Sequence, residues 1–115
     1  MKFEIDRATW LRGEGGETSM LLRSTDSKKC CLGFYGIAAG IPASELLEIP
    51  APDCDLVAQS DCWVKGFEKL LIQGEHNQVC RSLMNVNDET FTTDELREKR
   101  ITELFLEIGD EVTFV

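Results

Sequence analysis

The chain's 115 residues fit one compact domain, residues 1–115, and leave no room for a second. Hydrophobic residues at 43% and charged residues at 29% exclude a disordered chain. Twelve Lys plus Arg against 21 Asp plus Glu give a net charge of −9, which argues against direct nucleic-acid binding through phosphates.

The opening segment Met1–Arg7 carries no apolar signal region, so the expectation is a cytoplasmic protein. Within it, Phe3 and Ile5 alternate with Lys2, Glu4 and Asp6, the period-two pattern of a half-buried strand. A loop at Gly13–Gly16 follows, and Ser19–Arg23 reads as a second strand. After a turn at 24–27, residues 28–39 are apolar on every side of a helical wheel, which predicts a buried helix. The run from Cys30 to Ile41 is interrupted by Gly33, Gly36 and Gly40 and is shorter than the ~20 residues a bilayer requires, so no membrane partner is expected. Each interior glycine costs about 1 kcal/mol of helix propensity, and close approach of another backbone is the expected compensation. A phosphate cradle would need a P-loop lysine or a strand-turn-helix frame, and neither is present.

Gly40 ends that helix, and Pro42 opens a short one through Leu47. Ser60 or Asp61 caps a helix with Trp63, Phe67, Leu70 and Leu71 on one stripe, closed by Gly74. A turn or short helix covers Glu75–Met84, with Val79, Cys80, Leu83 and Met84 inward. Asn85–Asp88 reads as an Asx-closed turn, out of register for a calcium loop. The strongest signal is the last helix, where Thr92-x-x-Glu95 forms a capping box and Ile101, Leu104, Phe105 and Ile108 form one apolar face. Glu95–Lys99 and Lys99–Glu103 are spaced to pair along it, and Gly109 sits at its C′ position. Glu111–Val115 then alternates like a strand. The expected fold is α+β: a small antiparallel sheet packed against the buried glycine-containing helix and the amphipathic C-terminal helix.

The five cysteines, Cys30, Cys31, Cys54, Cys62 and Cys80, are odd in number, and the adjacent pair is too close to bridge itself, so all are expected to be reduced. His76-x-x-x-Cys80 is the best half of a zinc site, but neither Cys54-x7-Cys62 nor Cys30–Cys31 supplies the usual second half. No metal ligand, cofactor or catalytic residue is assigned. With His76 the only histidine, a Cys–His nucleophile finds no recognised local signature.

Residues 88–115 hold nine acids against three cations, −6 of the total −9. A solvated helix face is the plain meaning; a recognition surface for a basic partner is the sharper one.

Trp10-Leu-Arg-Gly13, Ser19-x-Leu-Leu22, Lys29-Cys-Cys-Leu-Gly-Phe34 and Leu83-Met-x-Val-Asn-Asp88, followed by Arg97-Glu98 and an amphipathic helix, resemble short uncharacterised proteins of phage and prophage type. The resemblance implies no activity; it implies a mobile-element setting in a bacterial host cytosol, where small acidic proteins act by binding a host or viral partner. It singles out Cys30, Cys31, Leu32, Gly33, Asn87 and Asp88.

The resulting expectation is a non-catalytic protein-binding or regulatory module whose contact residues are Cys30, Cys31, Asn87, Asp88, Glu98, Glu103 and Glu107. The partner is a protein, basic in character. The alternative is a small Cys/His metal-binding or thiol-dependent enzyme domain using Cys30, Cys31, His76 and Cys80. A homodimer paired through the strand edge at Val112–Val115 is a further expectation.

Overall fold

The computed structural model describes residues 1–53, 60–71 and 75–115, with the backbone alone for 75–77. Chain order gives β1 (Lys2–Ile5), a 3-10 turn (Gly15–Thr18), α1 (Cys31–Ala38), α2 (Ala43–Leu46), α3 (Asp61–Gly66), α4 (Glu68–Leu71), α5 (Glu75–Asp88), α6 (Asp94–Glu107) and β2 (Glu111–Phe114). The α+β class therefore holds.

The sheet is not antiparallel. β1 and β2 run parallel, with Lys2 opposite Glu111 and Ile5 opposite Phe114. Parallel strands need a long crossover, and here nearly the whole chain lies between them. The alternation in β1 buries Phe3 and Ile5 and exposes Lys2 and Glu4. The expected strand at 19–23 is also absent. That segment bends at Leu21, and Leu22 forms one isolated parallel bridge to Leu47. Its backbone is shared out: Leu21 N–H donates to Ile49 O at 2.8 Å and Cys30 N–H donates to Met20 O at 2.9 Å. Partners that short cannot extend a ladder.

Helix α1 is buried along most of its length, as its unbroken apolar character requires. A Cβ at Gly33 would fall 1.8 Å from the Leu21 carbonyl oxygen, so a glycine there lets the 19–23 segment lie against the helix. Gly40 ends the helix at φ +93°, a left-handed geometry that glycine adopts freely.

The Trp63 stripe is split into α3 and α4 at Phe67, whose N–H donates to Trp63 O. Trp63, Phe67 and Leu70 are nonetheless fully buried. Ser60 caps α3 by accepting from Trp63 N–H at 3.1 Å. The expected stop at Gly74 lies outside the described residues. Helix α5 is longer than expected and absorbs Asn85–Asp88 into its last turn, so the predicted Asx turn is corrected to helix. The cap of α6 is Thr93, not Thr92: its hydroxyl accepts from Leu96 N–H at 3.2 Å.

The core lies where the sheet meets α1 and α6. Phe3 meets Tyr35 and Phe105 edge-on, at centroid distances of 5.5 and 5.0 Å, and Tyr35 stacks on Phe105 at 5.3 Å. From α5, Val79, Cys80 and Leu83 join the same cluster. Among the described residues no helix is long and apolar enough to cross a membrane.

Candidate functional site

The two motifs singled out by resemblance do meet, inside the molecule. Asn87, on the last turn of α5, is fully buried. Its Oδ1 accepts from Trp10 Nε1–H at 2.9 Å and from the Cys31 N–H at 3.0 Å. The Cys31 amide belongs to the first turn of α1, where no helical acceptor exists, and Cys30 offers no side-chain cap. Asn87 thus caps α1 from another element. Its Nδ2 donates to Leu11 O at 3.1 Å, Thr18 O at 3.3 Å and Asp88 Oδ1 at 3.0 Å. Asp88, half-buried, also accepts from the Thr18 hydroxyl at 3.2 Å. Every polar atom of the Asn87 side chain is engaged by the protein itself. The cluster is architecture: it joins α5 to the N-terminal segment and to α1.

Three of the four described thiols are interior. Cys30, Cys31 and Cys80 are buried, while Cys62 is exposed. Burial pushes the Cys30 thiol up to about 11 and the Cys80 thiol to about 12, and drives Cys31 well above its ordinary value. The thiolate is both nucleophile and metal ligand, so these environments oppose either chemistry. Among the described residues no group of three or more His, Cys, Asp or Glu side chains is arranged to hold a metal. Cys54 and the side chain of His76 lie outside the described residues.

The acidic C-terminal quarter divides in a way charge counting could not foresee. Glu98 accepts from Arg7 Nε at 2.9 Å and NH2 at 2.6 Å, a bidentate pair that ties α6 to the N-terminal segment. Asp94 accepts from Arg12 at 3.0 Å, and that hydrogen bond holds its carboxyl below the ordinary range. Asp110 is wholly buried, the reverse of a surface acid. Burial works to raise its pKa, but hydrogen bonds from the Met1 amino group, Lys69 and Tyr35, at 2.9, 3.0 and 2.8 Å, outweigh it and hold the pKa low. Glu103 stands 3.5 Å from Arg100, half-exposed, and Glu107 is exposed. Of the three glutamates expected as a contact surface, Glu103 and Glu107 face solvent while Glu98, half-buried, is committed to Arg7.

What faces solvent instead is the corner between α5 and α6. Phe91 is 96% exposed and Leu96 59% exposed. Beside them runs a groove of about 390 Å³ lined by Val86, Leu96, Glu89, Glu103, Lys99 and Arg100. Glu89 and Glu95, both exposed, flank the aromatic ring in sequence. Sequence reading passed over Phe91; its one signal was an isolated aromatic in the polar run Glu89-Thr-Phe-Thr-Thr93, with no periodic partner to bury it. No family model matches the chain, and no curated protein or solved structure matches it.

Proposed function

We propose that this protein is a non-catalytic, protein-binding regulatory module that engages its partner through the α5–α6 corner. The observation that carries the reading is the 96% exposure of Phe91, a side chain whose burial is worth about 2 kcal/mol or more to any complex that covers it. The acids around it give the partner its chemistry: an apolar pocket for the ring, rimmed by Lys or Arg. A basic rim complements Glu89 and Glu95, the exposed acids that flank Phe91 in sequence, and the chain's net charge of −9 speeds encounter with such a protein. The interior thiols and the satisfied Asn87 cluster support the non-catalytic side of this reading. The resemblance to short phage-type proteins supports a bacterial host's cytosol as the setting.

The test replaces Phe91 with the photo-crosslinking residue p-benzoylphenylalanine and irradiates the protein in bacterial lysate. One discrete adduct is expected, falling about tenfold when Glu89 and Glu95 are changed to lysine and fading at high salt. An adduct indifferent to both changes, or none, overturns the proposal.

A further inference from the structure

Cations are outnumbered over the whole chain, yet four of the twelve converge. A cleft of about 480 Å³ is lined by Arg12, Arg23, Lys28 and Arg97, with Glu14 and Asp94 as its acids. Asp94 is shared between Arg12 at 3.0 Å and Arg97 at 3.7 Å. Arg23 reaches across its own turn to Asp26. Lys28, half-buried, makes no ion pair with a described carboxylate. With Asp26, which pairs with Arg23, counted beside Glu14 and Asp94, four cations face three acids, an excess of one positive charge on a protein whose net charge is −9.

A second observation falls at the same place. Among the described residues, the buried side-chain nitrogens and oxygens without a hydrogen-bond partner are Arg12 Nε and Arg97 Nε. Buried orphan donors are rare in native proteins and call for a water or an ion. Both guanidinium groups are also held in place. Arg12 lies over the Trp10 ring at 4.5 Å and donates to Trp10 O at 2.9 Å. Arg97 is 3% exposed and donates to Glu89 O through both terminal nitrogens, at 3.1 and 3.0 Å. The terminal nitrogens of both groups are taken by protein acceptors, so an anion would meet their fixed charge, the unpartnered Nε–H groups and the ammonium of Lys28. That setting suits a compact, multiply charged oxyanion such as phosphate.

We propose that this cleft is a binding site for a small phosphate-bearing anion. Its volume falls within the roughly 300–1,000 Å³ of small-molecule sites. The overall negative charge repels an extended polyanion, but screening over about 8 Å leaves a small ligand governed by the cations around it. The inference rests on different side chains from the Phe91 contact, and either can fail without the other.

The experiment labels the full chain with ¹⁵N-arginine and follows the Nε–H resonances of Arg12 and Arg97. Inorganic phosphate and glycerol 3-phosphate are titrated separately, with sodium chloride at matched ionic strength as control. Both phosphates are expected to give saturable shifts with a Kd of about 1 mM or tighter, and chloride none. Lys28→Gln should weaken binding about tenfold, and Glu14→Gln, which removes an exposed acid from the rim, should tighten it severalfold. Tighter binding of glycerol 3-phosphate assigns the site to an organic ester; equal affinities assign it to phosphate itself. Absent or unsaturable shifts, an equal response to chloride, or indifference to both substitutions overturns the proposal.

Discussion

At Gly33 the missing side chain sets how near α1 can come to the 19–23 segment. The Leu21 carbonyl that a methyl group would strike is backbone, held by its neighbours' hydrogen bonds, and cannot turn aside. Gly36 poses a gentler problem: a Cβ there would lie 2.9 Å from Phe67 Cζ and 3.3 Å from Leu46 Cδ2, both side-chain tips. Alanine gains about 1 kcal/mol of helix propensity at either site. Gly33→Ala is nevertheless expected to destabilise by about 3 kcal/mol, whereas Gly36→Ala should change stability by about 1 kcal/mol or less. Urea unfolding of the two variants checks the contrast, and equal effects would mean that the Leu21 contact is not what fixes Gly33. Asn87 is a residue of the same kind. Its Asn-Asp setting reads in sequence like a turn or a ligand pair, because the partners that consume its hydrogen bonds are Trp10, Leu11, Thr18 and Cys31, far away along the chain.

The elements whose apolar faces are continuous were legible in the sequence, and those defined by distant pairing were not. The Ile101, Leu104, Phe105 and Ile108 stripe gave α6, and the all-round apolar run gave α1, because helical burial is written locally in a period of 3.6. Alternation gave β1 and β2, but a period of two carries no information about direction, so the parallel pairing was hidden. The Ser19–Arg23 stretch, an apolar run between polar ends, reads as a strand but forms only an isolated bridge, since only tertiary neighbours decide whether a ladder forms. The cationic cleft was the least readable feature: Arg12, Arg23, Lys28 and Arg97 stand apart in sequence and are gathered only by the fold. At the start of α6 the sequence offered two threonines, and Thr93 holds the cap. Thr93→Ala should therefore cost about 1 kcal/mol of stability and Thr92→Ala only a few tenths. Thermal melts of the two variants decide it, and a larger loss at Thr92 would restore the capping box expected from Thr92 and Glu95.

For the molecule as a whole, the interior thiols and Tyr35 set its response to alkali. Cys30 and Cys80 are raised from the ordinary 9.0 to about 11 and about 12, Cys31 is raised well above that ordinary value, and burial with the Asp110 hydrogen bond raises Tyr35. The unfolded chain gives up the thiol protons near pH 9 and the Tyr35 proton near pH 10, while the folded chain keeps them. The folded state then binds more protons, so stability falls as pH rises. That contribution is complete below about pH 9 and is lost progressively as pH climbs through 11 and 12. Asp110 and Asp94, held low, act in the opposite sense: their contribution is present above pH 3.8 and disappears as pH drops below it. The urea midpoint is therefore expected to be flat through the neutral range and to fall on both sides. Cys80→Ala removes one of the raised thiols, so its alkaline limb should be shallower than that of the parent chain even though the cavity lowers the whole curve. Thiol modification at pH 8, read by mass spectrometry, gives the kinetic counterpart. Cys62 should react at once, and Cys30, Cys31 and Cys80 only as fast as the fold opens. Immediate labelling of Cys30 or Cys31 in the native chain would show a reachable thiol at the start of α1 and return the Cys-Cys pair to consideration as a reactive site.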